Sequence, residues 1–375
     1  MNADLLTVIV PVDLVRRPAQ LRRRTLSLVR SLVEISCRVV VVHNDRGTAA
    51  DRSLCQAFES LPRRWVQLLS HAFNDGLPNN ALLRNQGYRE VGTPYLMLLD
   101  ADILASAALV NALLVQALAH PSGTAMAPCL YLSPSGSLRA LIGADRSRFW
   151  REYLAHDRRH SLHLAMPSSV MVLKTADFGA IGGFAEAYTG HGFEDFDFMV
   201  RLAEATQAID LTGVQNLGEA YRAPLLATGF RATLSTWCFD ALISGAIALH
   251  LHHSRDADDA YYQSRQANAD RFRDRLATLA PSTSEVHAVQ PPFALASALY
   301  RYCTDRRLNP SAFEALLSAR PSFLDRGGVL KRALLRIASR PIQRAVEDGF
   351  PACVGWPRRL DSPSRPSLQS SIHTP

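Results

Sequence analysis

The chain has 375 residues, 47% of them hydrophobic and 20% charged, and carries a formal net charge of +7. That length fits two ordinary domains, or one large domain with an appendage, and the composition excludes wholesale disorder, collagen-like repeats and coiled coils. The positive balance is mild: it permits attraction to anionic head groups or a phosphorylated substrate and gives no reason to expect nucleic acid.

Residues 7–12 (TVIVPV) are a short, β-branched apolar run and read as a buried strand. Helical apolar spacing follows over 18–32, then a second buried strand over 38–43 (RVVVVH) that ends in Asn44-Asp45. Arg46-Gly47 turns the chain into a helix near 50–60, and 65–70 reads as a weaker third strand. Residues 78–90 form a helix with proline in its first turn. A fourth buried strand, 95–99 (YLMLL), runs straight into Asp100-Ala101-Asp102, followed by a helix over 105–119 and a strand over 124–130. From 131 the pattern loosens: 133–160 is Arg-rich and aromatic, a loop with a helix, and 166–173 is strand-like. Gly182-Gly183-Phe184 marks a turn, 194–205 has helical spacing, and 246–251 is a last apolar strand carrying His250 and followed by His252 and His253. An amphipathic helix is expected over 258–279, helices over 290–350, and disorder from 353, where Ser, Pro and Arg dominate. Strands alternating with helices predict an α/β fold with a mainly parallel sheet. Ligands bind at the carboxyl ends of such strands, so Asn44-Asp45 and Asp100/Asp102 fall along one rim.

Six cysteines are scattered, none at CxxC spacing, and are expected as buried reduced thiols. The charges near the N-terminus follow the first apolar run, the reverse of a signal peptide. No window approaches the ~20 apolar residues of a membrane span.

Three groups can do chemistry. Asp100 and Asp102 stand one residue apart beyond a strand; a divalent cation would satisfy them, and a pair of solvated turn aspartates, one capping a helix, is the plainer alternative. In GHGFEDFD (190–197), Glu194, Asp195 and Asp197 cluster at a helix start, where acidic residues suit the dipole and where a carboxylate can also act as general base. His250 and His253, three apart at a strand end, can share a metal or be merely structural.

Taken in order, strand–Asp-x-Asp, then GGF…GHGFED, then HLHHSRD, the chain resembles the GT-A glycosyltransferases, and within them the bacterial chondroitin-polymerase-type and capsule enzymes and the β-1,4-galactosyltransferases. IVPV, VVVVHND, LLRNQG and YLMLLDADI support the resemblance, and IGGFAEAYTGHGFEDFDFMVRL matches the galactosyltransferase-like second half. It implies a Rossmann-like, nucleotide-sugar-binding mixed sheet flanked by helices over 1–265, split into a nucleotide-binding half (1–130) and an acceptor and catalytic half (131–265). A C-terminal helical extension (266–350) and a disordered tail (351–375) would follow. The resemblance further implies that Asp102, His253 and His250 hold Mn²⁺ or Mg²⁺, with Asp100 beside the ribose or a metal-bound water. Asp195 becomes the base and Glu194 its acidic neighbour on the acceptor. Pro11, Asn44, Asp45, Arg84 and Asn85 would line the nucleotide pocket.

The implied activity is inverting transfer of a sugar, galactose or N-acetylgalactosamine, from a UDP-sugar to a cell-surface or capsular glycan. The expected setting is cytoplasmic, with peripheral contact at the inner membrane suggested by the Arg-rich stretch 331–344. His191 and Phe193 depart from the GWG turn with its following small residue, so a sugar-stacking platform is either altered or passes to Phe193. That departure motivates the alternative of a non-catalytic nucleotide- or sugar-binding relative. A nucleotidyltransferase is disfavoured, because no Gly-rich basic loop follows Val12.

Overall fold

The computed structural model describes residues 4–211, 217–218, 223–254, 258–279 and 293–318. Its elements run β1 (Leu6–Asp13), α1 (Pro18–Glu34), β2 (Arg38–Asn44), α2 (Ala49–Glu59), β3 (Val66–His71), α3 (Asn80–Tyr88), β4 (Tyr95–Leu98), β5 (Ile103–Leu104), α4 (Ala107–Ala119), β6 (Ala125–Met126) and β7 (Cys129–Leu132). They continue with α5 (Pro134–Leu141), α6 (Arg146–Leu154), β8 (Ser161–Ala165), β9 (Met171–Lys174), α7 (Thr175–Ala180), α8 (Glu194–Thr206), α9 (Gly229–Ser235), α10 (Phe239–Ser244), β10 (Ala248–His250), α11 (Ala260–Gln263), α12 (Arg265–Ala277) and α13 (Ala294–Asp305).

The main sheet has the order β3-β2-β1-β4-β9-β6, parallel from β3 to β4 and antiparallel beyond. A second sheet has the order β5-β10-β7-β8. Burial on both faces explains why β1, β2 and β4 are nearly continuous apolar runs. Val8, Val10 and Val12 face one core with residues of α1, α2 and α4, while Ile9, Leu96 and Leu98 join a second core with Phe178, Phe198 and Leu202. Helix α3 lies so close to the sheet that a Cβ on Gly87 would come within 2.7 Å of Ile9 Cγ2 and 2.9 Å of Val42 Cγ2. That close approach carries Arg84, one turn earlier, beneath the strand ends.

Several expectations change. The strand over 124–130 is two strands in different sheets, interrupted around Pro128. The strand-like run 166–173 begins only at Met171, and β8 precedes it. Two helices, not one, occupy 133–160, and α7 packs just before the Gly182-Gly183 turn. The helix over 258–279 breaks at Ser264, where α12 begins anew. Helix α13 and a 3-10 helix, Pro310–Leu317, pack into the same core as α8 and α9 through Leu299, Cys303, Leu316 and Leu317. Residues 319–350, with the Arg-rich stretch 331–344, and the tail 351–375 lie outside the described residues. Cys37, Cys55, Cys129, Cys238 and Cys303 are free thiols. Among the described residues no helix is long and apolar enough to cross a membrane.

Candidate active site

A cavity of about 200 Å³ opens at the carboxyl ends of β1 and β4. One wall is Pro11 and Asp13 from β1; the floor is Arg84, Asp100 and Asp102; the far side is Glu194, Asp195 and the two histidines. Asp102 and the histidines, about 150 positions apart in the chain, meet through backbone pairing. β5 directly follows Asp102 and pairs antiparallel with β10, with His250 opposite Ile103. The Leu251 amide then donates to the Asp102 carbonyl at 2.9 Å. As a result Asp102, His250 and His253 present one ligand atom each, all within 4.8 Å of one another.

Asp102 is 7% exposed. Burial alone would raise its pKa, but hydrogen bonds from Arg17 and Arg24 prevail and hold it at about 2. Arg17 donates to Oδ2 at 2.9 Å, and Arg24 forms a tight pair with Oδ1. His253 Nε2 lies 3.8 Å from Oδ2. His250 stacks on Tyr131 with ring centroids 4.2 Å apart, and burial lowers its pKa to about 4, so it is a neutral imidazole. Its Nδ1 is buried and has no hydrogen-bond partner. A neutral imidazole with an unpaired nitrogen, beside a carboxylate and a second imidazole, is a donor set that fits Mn²⁺.

Opposite stands the start of α8. Gly190, Gly192 and Phe193 all have left-handed backbone, with φ of 74°, 86° and 75°. A Cβ on Gly190 would come within 2.1 Å of Ser264 Oγ, so this turn needs glycine for space as well as for φ. The turn ends with Glu194 and Asp195 on the first helical turn, where the dipole favours carboxylates. Arg84, 1% exposed, is shared between Asp100 at 2.8 Å and Glu194 at 3.5 Å. Its Nε and Nη1 have no hydrogen-bond partner. Burial pushes the Glu194 and Asp195 carboxyls above their ordinary values, and Arg84 only partly offsets this. Asp197 serves differently: it accepts from Arg201 Nε at 2.8 Å, and Arg201 also donates to the carbonyls of Ile181 and Gly183, tying the glycine turn to α8.

A second cavity of about 480 Å³ adjoins the first, lined by Phe196, Pro224, Arg231 and Arg265. Asp195 lines both cavities, whereas Glu194 lines only the first.

Of the residues expected around the nucleotide, Pro11, Arg84 and Asp100 line the cavity; Asn44, Asp45 and Asn85 do not. Asn44 is 1% exposed and committed to the backbone and to Asp13, accepting from the Phe73 and Asn74 amides and donating to Asp13 Oδ2 at 2.9 Å. Asp45 accepts from the Gly47 amide at 2.8 Å and shapes its own turn. Asn85 holds the glycine turn, donating to the Phe184 carbonyl and accepting from its amide. Phe193 packs against Phe196 and Phe272 and lines the second cavity, while Tyr131, His191, Tyr261 and Tyr262 join the two histidines as the aromatic groups on the first. Sequence reasoning missed Asp13, at the end of β1, Arg24, on α1, and Arg17, which precedes α1 with left-handed backbone (φ 51°). It also missed Tyr261 and Tyr262, over which Arg16 lies at 4.3 and 4.6 Å while pairing with Asp259 at 2.5 Å.

A half-parallel sheet ending in Asp-x-Asp, closed by an antiparallel half that brings in an acidic helix start, is the GT-A glycosyltransferase arrangement. The profile of the family described as "Glycosyltransferase like family 2" matches residues 7–277, and the chain belongs to that family. Validoxylamine A glucosyltransferase of Streptomyces hygroscopicus subsp. jinggangensis (strain 5008) is 27% identical over 225 residues, 54% of this chain and 52% of that protein. Its counterpart from subsp. limoneus is also 27% identical, over 54% of this chain and 48% of that protein. The chain thus spans about half the length of the curated relatives it matches. Among solved structures, the mannosyltransferase PcManGT from Pyrobaculum calidifontis, in complex with GDP-Man and Mn²⁺, is similar at a TM-score of 0.42 and 17% identity, over 92% of this chain and 83% of that one. The catalytic domain of Drosophila β1,4-galactosyltransferase 7 is similar at 0.29 and 16%, over 53% and 61%. Scores this low carry no weight for this chain's substrates.

Proposed function

We propose that the chain transfers a hexose, with inversion at the anomeric carbon, from a UDP-sugar to a hydroxyl of a glycan acceptor. The observation that carries this reading is the position of Asp195, a carboxylate common to two adjoining cavities, one of which also holds Asp102, His250 and His253. The cavity with the three ligands takes the donor; the neighbouring one takes the acceptor.

When bound by Asp102, His250 and His253, a divalent cation, Mn²⁺ or Mg²⁺, supplies neutralisation of the charge that builds on the diphosphate. Arg17 and Arg24 keep Asp102 ionised for that task. Asp195 takes the proton of the acceptor hydroxyl. That oxygen forms the new bond to the anomeric carbon from the face opposite the diphosphate, whose bond breaks and whose oxygen keeps the electron pair. Glu194 stands beside the base on the donor cavity, and Arg84 steadies the negative charge of both carboxylates. A base whose pKa is raised by burial is better matched to a neutral working pH than an ordinary aspartate.

Galactose and N-acetylgalactosamine remain candidate donor sugars on the resemblance of the motifs, and the name of the curated relatives adds glucose. The acceptor is a cell-surface or capsular glycan in this reading. The test is a panel of UDP-glucose, UDP-galactose and UDP-N-acetylgalactosamine with Mn²⁺, with and without acceptor sugars. UDP release from one of them, abolished by chelation, is expected. No release from any of them, under a range of acceptors, defeats the proposal.

A further inference from the structure

A cavity of about 400 Å³ lies apart from those above and shares no lining residue with either. It forms where α13 meets α4, the start of β6 and residues 236–240. Its size falls in the range of about 300–1,000 Å³ of small-molecule sites.

Three of its lining side chains keep a buried polar atom with no hydrogen-bond partner: Gln116 Oε1, Thr124 Oγ1 and Trp237 Nε1. Thr124 is 2% and Trp237 7% exposed. Gln116 has already committed its amide nitrogen to Ser244 Oγ at 3.0 Å, so its oxygen is an acceptor. Trp237 offers only a donor, and the Thr124 hydroxyl does either. Buried polar atoms in folded proteins meet partners, so three on residues that line one cavity, each brought onto it by a small side-chain rotation, point to a molecule that both donates and accepts.

The charges around them say more. Arg301 and Arg306 are matched by Asp240 and Asp305. Asp240 is already engaged by the Tyr302 hydroxyl and lies 4.0 Å from Arg306. With two cations and two anions, the wall has no surplus to recognise a phosphate or a carboxylate. It does have aromatic surface: Trp237, and the edge-to-face pair Phe239 and Tyr302 with centroids 5.2 Å apart. Aromatic faces suit the C–H faces of a sugar ring, and a mixed donor and acceptor set suits its hydroxyls.

We propose that this cavity binds a neutral pyranose unit, a carbohydrate site separate from the catalytic centre and closed on one side by α13. The site does not depend on which donor the catalytic cavity uses, and its test reads binding directly. The full chain is titrated with methyl α-glucoside and methyl α-galactoside by saturation-transfer NMR, and crystals are soaked in the same two compounds. Electron density for a ring within hydrogen-bond distance of Gln116, Thr124 and Trp237 is expected. The near-isosteric pair Thr124→Val and Trp237→Phe should weaken binding at this site about tenfold or more while UDP release is unchanged. The Asp195→Asn chain should bind here as the parent does. Ordered water alone in the soaked crystals overturns the proposal, and so does undiminished binding by the double variant. If that variant unfolds, Thr124→Val alone and the parent crystals decide.

Discussion

Replacing Arg84 by methionine keeps the apolar bulk of the side chain and removes its charge. Glu194 and Asp195 then share a buried helix start with Arg231 still acting on Asp195, and with Asp100 as a further anion. Breaking a buried ion pair from one side typically costs about 3–5 kcal/mol. Asp100 is 34% exposed, so solvent screens that half of the interaction and the lower end applies, about 3 kcal/mol near pH 8. The sign with pH follows from the direction of the shifts. Both carboxyls titrate above their ordinary values in the folded chain, so their ionisation weakens the fold as pH rises above roughly 4. Losing Arg84 raises both further, so the deficit should be small at pH 5 and largest at pH 8. Urea unfolding at the two pH values measures it, and the acid limb of kcat/KM should move upward in the same variant because Asp195 must be ionised to act as base. A deficit independent of pH, with an unmoved acid limb, would refute the view that Arg84 governs the charge of this carboxylate pair.

Asp195→Asn should lower transfer by about 10²–10⁴-fold while UDP binding, followed by calorimetry with Mn²⁺, stays within a few-fold of the parent; equal loss of both removes the base assignment. His250→Ala should raise the Mn²⁺ concentration needed for half-maximal UDP release by about tenfold or more, and an unchanged Mn²⁺ dependence takes His250 out of the ligand set. Gly87→Ala places a methyl against Ile9 and Val42 and should cost about 1–3 kcal/mol; a melting temperature equal to the parent's would show that α3 moves off the sheet without penalty.

Legibility in the sequence tracked apolar content and length. β1, β2 and β4 announce themselves because both faces are buried, so their central positions are almost all apolar. β10 falls inside the apolar run 246–251 and is legible as a strand, but β5 is two residues long and has no periodicity to read, yet the pairing of the two is what joins Asp102 to His250. β8 alternates serine and histidine with leucine and falls between the loop expected over 133–160 and the strand expected over 166–173. Asp102, Glu194, Asp195, His250 and His253 were found from motif order, and all five line one cavity. Asn44, Asp45 and Asn85 sit beside motif residues in sequence, but each spends its polar atoms on backbone or, for Asn44 and Asn85, also on Asp13 and Glu186, a commitment that only the folded chain displays. Arg24 looks like part of the solvated face of an arginine-rich helix, and Arg17 like a turn residue before it, until the fold sets both on Asp102. Phe193, whose aromatic ring suggested a sugar platform, packs against Phe272 of α12 and faces the second cavity, not the one that holds Asp102.

The ladder between β5 and β10 has a consequence for how the protein keeps its donor atoms ready. The backbone, not an ion, fixes the spacing between the aspartate at 102 and the imidazoles at 250 and 253, and the amide of Leu251 locks it from the other side. Small zinc modules need their metal to fold at all; here the ligands are pre-assembled, so little ordering entropy is left for binding to oppose. On the proposed reading, stripping divalent ions should therefore silence the protein yet leave it folded, its melting transition lowered only by the mass-action stabilisation of the lost ion.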